Sequence, residues 1–412
     1  MRVRPVLLRL HRWAGLTAGA VITVVCLSGA LLVFGPEMDR ALRPDLWTAG
    51  PEPGPPLPPS ALIEAIHARH PRAGIVALEL SSDPGRSALV ELRGGTQAFL
   101  HPRSGTVLGE RAVSESFVGR VETLHTTLLA GRIGRTLVGA STAFLLVLVS
   151  LGLWLWWPGR GARLRDGFTA HLRRGWKRAV YDLHNVLGFY ASVGLLLLAG
   201  TGTVLAYPAL RTAAARFVAV IDRRAGQAPG RETVRAATGH EGLAIHRGTR
   251  ATGVGAPSRR RPAMPALRLA SAQHFGPAVD RALERAAAEF PDARSWRIAL
   301  PSRPRGRLRI TVSRKSAPHP GATERLLFDG ETGRLVRVER YAKATRAGRL
   351  NRLVGPIHVG DVLGLPTRLL ALFASLVGAT LPLTGTIVWF PRWRRRRRRA
   401  RRRQRGSLRR IS

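Results

Sequence analysis

Four uncharged apolar runs constrain this chain more than any other feature. They lie at about Ala14–Phe34, Leu137–Trp157, Val186–Tyr207 and Leu369–Phe390. At about 1.5 Å of rise per residue, a helix of about 20 residues crosses a hydrocarbon core of about 30 Å. The expected fold class is therefore an α-helical membrane protein with four transmembrane helices. Charge enters the argument next. Lys and Arg number 66 against 25 Asp and Glu, a net charge of +41. Such a balance points first to a polyanionic partner, but nucleic-acid binders rarely carry long apolar runs. No nucleic acid is expected, and the basic excess is assigned to flanks that face an anionic lipid bilayer.

The first run follows a basic N-terminus, as a secretory signal would. It is longer than a usual signal core, has no clear A-x-A site and ends in Gly35-Pro36-Glu37. A retained span is expected. The one cysteine, Cys26, lies inside this run, so no intrachain disulfide and no CxxCH haem attachment can form.

The flanks predict orientation. Arg2, Arg4, Arg9 and Arg12 precede span one, and an arginine run from Arg392 to Arg403 follows span four. Arg160, Arg163, Arg165, Arg173, Arg174, Lys177 and Arg178 fill the short connection between spans two and three. Short basic loops stay cytoplasmic, whereas long basic domains escape that rule. Both termini are expected inside and the two long segments outside, in a multi-pass protein of the bacterial inner (cytoplasmic) membrane. Trp154, Trp156, Trp157, Trp389 and Trp393 fall at the inner interface. The tail from 392 to 412 is read as a lipid-bound anchor.

The chain repeats itself. An offset of 173 pairs Leu10-His11 and Gly15 with Leu183-His184 and Gly188, and Ser28-Gly29 with Thr201-Gly202. An offset of 233 pairs His125 with His358, Gly131 with Gly364, Arg135 with Arg368 and Gly152 with Gly385. The outer segments echo each other too. Helical stretches at Ala61–His70 and Ala278–Phe290 precede strands at Ala88–Leu92 and Ala98–Leu100, and at Leu308–Val312 and Arg325–Phe328. Two repeat-related halves follow, each a span, a small α+β unit and a span. The expected layout is 1–34 for span one with its N-terminus, 35–124 for the first outer unit and 125–157 for span two. A basic loop at 158–183 leads to span three at 184–207. The second outer unit is 208–349, with a flexible insertion at 225–265, and span four is 350–391.

Four of the twelve histidines, His11, His125, His184 and His358, sit at repeat-equivalent places beside the spans. Orientation puts His11 and His184 at the inner face, and His125 and His358 at the outer one. Two imidazoles per face, on different helices, suit one non-covalent haem per face, two per chain. A lone helix-end histidine is more often an interfacial residue; four in repeat register shift that balance. Glycines near the ligands (Gly15, Gly131, Gly134, Gly188, Gly360 and Gly364) would let a macrocycle approach, or simply let helices pack. Arg132, Arg135 and Arg368 lie near the outer histidines and could bind propionates, or snorkel to the interface.

These residues carry a resemblance. Leu10-His11-Arg12-Trp13-Ala14-Gly15 through Ser28-Gly29, Asp182-Leu183-His184-Asn185 and Ile357-His358-Val359-Gly360-Asp361 resemble the PepSY-associated transmembrane family. His101-Pro102-Arg103-Ser104-Gly105 and Asp329-Gly330-Glu331-Thr332-Gly333 resemble the turn of PepSY domains. The resemblance implies periplasmic PepSY-like domains, and likeness to iron-regulated inner-membrane ferric-siderophore reductases. It implies two b-type haems (haem b), the inner one held by His11 with His184 and the outer one by His125 with His358.

The function expected is a haem-dependent transmembrane oxidoreductase. It would draw electrons from quinol or another donor and reduce a periplasmic acceptor, a ferric siderophore first. No GxGxxG after a strand and no P-loop marks a nucleotide site. The alternative is a non-enzymatic PepSY membrane protein that binds or inhibits a protease or envelope partner. A coupled transporter is disfavoured by the lack of acidic residues within the four runs.

Overall fold

The computed structural model describes residues 3–157, 167–224, 272–301 and 306–408. The insertion expected at 225–265, and Arg160, Arg163 and Arg165, lie outside the described residues. Eleven α-helices are described: α1 Val3–Leu32, α2 Gly35–Leu42, α3 Pro44–Trp47, α4 Pro59–Arg69, α5 Phe117–Thr127, α6 Gly131–Trp156, α7 Trp176–Ala206, α8 Pro208–Arg224, α9 Ala272–Glu289, α10 Arg346–Val359 and α11 Leu365–Leu408. The eight described strands are β1 Ile75–Ser81, β2 Ala88–Leu92, β3 Thr96–Leu100, β4 Val107–Ala112, β5 Ala293–Ala299, β6 Arg307–Arg314, β7 Glu324–Asp329 and β8 Leu335–Glu339.

Four of these helices have the length and apolarity to cross a membrane: α1, α6, α7 and α11 as far as Phe390. The chain is membrane-embedded. The helices start earlier than the apolar runs, α1 at Val3 and α7 at Trp176, because their basic flanks continue the helix. Each helix packs on two neighbours, in the ring α1–α6–α7–α11. Thus α1 stands diagonally opposite α7, and α6 opposite α11. Close approach inside the ring uses small residues. A Cβ on Gly194 would come within 2.8 Å of Ala374, and one on Gly19 within 2.9 Å of Pro382. Phe144, Val147, Val193, Leu197 and Phe373 are exposed on the bundle surface, as lipid-facing side chains are.

The strands form one antiparallel sheet in the order β4-β3-β2-β1-β5-β6-β7-β8. Each half contributes a four-stranded meander, and β1 joins β5 edge to edge, with Leu78 opposite Ile298. That join covers two edges that would otherwise present unpaired backbone groups. Arg297 supports it from β5, donating to Glu91 of β2 through two bonds of 2.7 and 2.6 Å.

One face of the sheet carries α4 and α9. Leu62, Ile63 and Ile66 of α4, and Val279, Ala282 and Ala286 of α9, recur at helical spacing and are buried. They meet Ala88, Val90 and Leu92 of β2, and Leu308, Ile310 and Val312 of β6, which alternate at strand period. On the other face Leu89 and Phe99 pack with Leu46 of α3. There Arg111 of β4 donates to Asp39 of α2 at 2.8 Å, with only 9% and 6% of the two side chains exposed. Truncating Arg111 to alanine would strand a buried carboxylate, a change that costs about 3–5 kcal/mol in such settings. A clear fall in the thermal unfolding midpoint of Arg111→Ala, followed by tryptophan fluorescence, is expected. Asp39→Asn should be milder, because it keeps a hydrogen-bond acceptor.

Candidate functional site

The bundle brings the four repeated histidines together as two pairs. His11 of α1 meets His184 of α7 across the ring diagonal, with centroids 6.4 Å apart and planes at 89°. His125 and His358 meet with centroids 6.1 Å apart and planes at 55°. These two residues stand on α5 and α10, short helices that precede α6 and α11 and dock on α1 and α7. Thr127 closes α5, and Leu128 turns out of it at φ 50°. The α10 helix ends on Gly360 at φ 75°, where glycine adopts the left-handed turn without strain. The second pair lies beside Ser28 and Thr201, each 17 residues after His11 or His184 on the same helix. Seventeen residues of helix span about 25 Å. The His125–His358 pair is therefore at the end of the bundle nearest the sheet, and the His11–His184 pair at the far end.

Local hydrogen bonds set the imidazole tautomers. Ser28 Oγ donates to Val24 O at 2.7 Å, and Thr201 Oγ1 to Leu197 O at 2.6 Å. Thr384 Oγ1 donates to Thr380 O at 3.0 Å. With their protons committed, these hydroxyls accept from histidine. Nδ1–H of His125 donates to Val25 O at 2.9 Å and reaches Ser28 Oγ at 3.2 Å. Nδ1–H of His358 donates to Thr201 Oγ1 at 3.1 Å, and that of His184 to Thr384 Oγ1 at 2.9 Å. A proton on Nδ1 leaves the Nε2 lone pair for a metal. His11 differs. Among the described residues its buried Nδ1 has no hydrogen-bond partner. Leu151 stands 233 residues before Thr384 and supplies no hydroxyl.

A glycine from a neighbouring helix lies against every ring. A Cβ on Gly29 would stand 3.0 Å from Cε1 of His125, and one on Gly202 3.0 Å from Cε1 of His358. The corresponding distances are 3.4 Å for Gly152 to His11 and 3.4 Å for Gly385 to His184. The glycines expected from sequence proximity touch other groups. Gly15 faces Leu148 and Gly188 faces Leu381, while Gly131, Gly360 and Gly364 serve turns at positive φ.

The profile of the PepSY-associated TM region matches residues 8–392. The chain belongs to this family. No curated protein matches the chain. In this PepSY-associated TM chain the matched stretch contains all four paired histidines and the whole sheet.

The arginines expected beside the outer pair separate into two groups. Arg368 of α11 is engaged: it bonds Glu37 through two contacts of 2.7 Å and Val33 O at 2.6 Å, and lies 4.4 Å over the Phe34 ring. Arg132 and Arg135 of α6 are exposed. Among the described residues, His67, His70, His101, His171 and His319 do not join these pairs. Among them His101 bonds Gly50 O at 2.9 Å and Glu52 at 2.7 Å, and His319 bonds Tyr341 at 2.8 Å.

Glu122 was not anticipated. It sits on α5 three residues before His125, half-buried, and desolvation pushes its carboxyl up to about 7. A raised folded-state value favours the protonated form. Stability from this group is therefore full below the ordinary carboxylate range and lost as pH rises through about 7. Glu122→Gln should match the parent's thermal midpoint near pH 5 and exceed it near pH 8. Equal midpoints at both pH values would remove Glu122 from the account.

Proposed function

We propose that this chain is a di-haem b protein that carries electrons across the inner membrane and reduces an acceptor on the sheet side, a ferric siderophore first among candidates. The observation that carries this reading is the meeting of two imidazole pairs at 6.4 and 6.1 Å. Paired imidazoles on different helices would hold one iron porphyrin between them, His11 with His184 and His125 with His358. The chain's own residues fit the group in two more ways. Ser28, Thr201 and Thr384 hold Nδ1–H and leave Nε2 as the ligand atom. Gly29, Gly152, Gly202 and Gly385 keep side chains away from the imidazoles.

Bound haem would supply reversible one-electron chemistry at each end of the bundle. The helices hold the two sites apart along the membrane normal, and the lipid-facing apolar surface excludes water between them. Basic flanks support a reading in which both termini and the His11–His184 end are cytoplasmic. Quinol in the bilayer or another reductant would be the donor. The same span–unit–span order in both halves, with equivalent histidines, supports two repeat-related halves built to give two equivalent sites. Arg132 and Arg135 are at hand for carboxylates at the sheet end, while Arg368 would first have to leave Glu37. Reduction of Fe(III) weakens its hold by hard oxygen chelators, which suits release of iron on that side.

The test is a reduced-minus-oxidised spectrum of the purified chain with haem counted as the pyridine complex. Two b-type haems per chain are expected. Colourless protein after expression with ample haem would overturn the reading.

A further inference from the structure

Trp47, at the end of α3, is ringed by arginine. The guanidinium carbons of Arg40, Arg86 and Arg111 lie 5.9, 6.0 and 5.9 Å from its ring centroid. The indole is fixed from below: Nε1 donates to Asp39 at 3.0 Å, and the ring packs edge-on to Phe99 at 5.0 Å. Asp39 also neutralises Arg111. Arg40 and Arg86 have no such bonded partner, although Glu79 attracts both through space and Glu37 attracts Arg40. Among the described residues neither side chain makes a hydrogen bond or an ion pair with a carboxylate, whereas Arg43, Arg314 and Arg340 each hold one.

These two charges come from separate elements. Arg40 is on α2, Arg86 just before β2, and Arg294 of β5 stands near enough to repel Arg40. Arg40 is pushed down from its ordinary value, first by burial and then by Arg86. Like charges held together by the fold, with forked donors unspent, are pre-organised for an oxyanion. The indole face adds a cation–π floor that keeps the guanidiniums in place.

We infer that Arg40 and Arg86, with Arg294 beside them and Trp47 as the floor, bind an oxyanion-bearing ligand, either a soluble polycarboxylate or the phosphate of a lipid headgroup. The position gives the site its interest. Glu37, one turn before Arg40, is the residue that holds Arg368 at the start of α11, so the cluster lies where the sheet meets the His125–His358 end of the bundle. On the electron-conduit reading, and only there, a soluble anionic chelate bound here would wait beside the outer site.

Citrate is the probe. The full chain in phosphatidylcholine nanodiscs is titrated calorimetrically, beside Arg40→Gln/Arg86→Gln and a charge-matched control, Arg72→Gln/Arg349→Gln. The double variant should bind citrate at least about tenfold more weakly, the scale of losing a charge-assisted bond, while the control stays near the parent. Arg86→Lys keeps the charge and loses the fork, so a several-fold loss there carries the test should the double variant fail to fold. Repeating the titration in phosphatidylglycerol separates the sources. Citrate binding that persists assigns the site to soluble anions, and binding abolished by that lipid assigns it to headgroup phosphate. Equal citrate affinity in the parent, the double variant and Arg86→Lys, or no citrate binding in either lipid, would overturn the proposal. Haem is counted on the same samples, so failure here is distinguishable from failure of the conduit reading.

Discussion

Replacing His125 with alanine is expected to remove one of two haems and leave the other spectrally intact. The same is expected for His358→Ala, and for both together. The reason is the pairing: His125 and His358 face each other at 6.1 Å, while His11 and His184 meet about 25 Å further along the bundle. On the di-haem reading, losing one imidazole would leave a single ligand at that site, and losing the second would remove nothing more. Two substitutions in different pairs behave otherwise. His11→Ala with His358→Ala should abolish both haems, whereas His11→Ala with His184→Ala should leave one. This pattern is non-additive within a pair and additive between pairs, as expected for residues that act as a unit. A cross-pair double variant that retained one full haem would show that the pairs are drawn wrongly. The effect is large, half or all of the Soret absorbance, and needs no knowledge of donor or acceptor.

Much of this arrangement was legible in the sequence, because the repeat marks equivalent positions without any need for contacts. His11 and His184 share one offset, and His125 and His358 share the other. The span centres were readable from apolarity alone, but their ends were not, because lipid-facing and interior positions are both apolar and the basic flanks remain helical. Strands with alternating cores, such as β2 and β6, announced themselves. The edge strands β4 and β8 did not, since Val107–Ala112 and Leu335–Glu339 are only partly buried and carry charge. Nor did β5, Ala293–Ala299, whose Arg297 is neutralised by Glu91, 206 residues away. The β1–β5 join is made of backbone hydrogen bonds and has no side-chain signature, so nothing in the sequence announced that the two outer units share one sheet.

The site shows the same division. Ser28 with Thr201, and Gly152 with Gly385, were visible as repeat matches, but what they touch was not. Thr384 had no repeat signal at all, because Leu151 occupies its counterpart. Glycines adjacent to the histidines in sequence drew attention that belonged to glycines adjacent in space. Histidine side chains reach across to the neighbouring helix, so the relevant backbone is about one helix diameter away and many residues distant.

That distinction can be put to experiment, and the outcome is expected to be lopsided. Gly202→Leu should empty the His125–His358 site, and Gly15→Ala should empty neither. Even the first carbon of a side chain at 202 would stand 3.0 Å from Cε1 of His358 and 3.1 Å from Thr142 Cγ2. Thr142 is fixed by its own bond to Val138 O at 2.8 Å, so the imidazole has to yield. A leucine adds three more carbons, and overpacking of a tight interior commonly costs about 1–3 kcal/mol. Movement of the ring also breaks its bond to Thr201 and with it the tautomer that leaves Nε2 free. At Gly15 the nearest group is a Leu148 methyl at 3.9 Å, an ordinary contact, and exchange of a helical glycine for alanine favours the helix by up to about 1 kcal/mol. Haem counts of about one per chain for Gly202→Leu and about two for Gly15→Ala are therefore expected, with the residual haem in the former lost on adding His184→Ala. Should Gly15→Ala lose a haem while Gly202→Leu keeps both, proximity along the chain would be the better guide to the cradle, and the ring contacts at Gly29 and Gly202 would be ordinary helix packing.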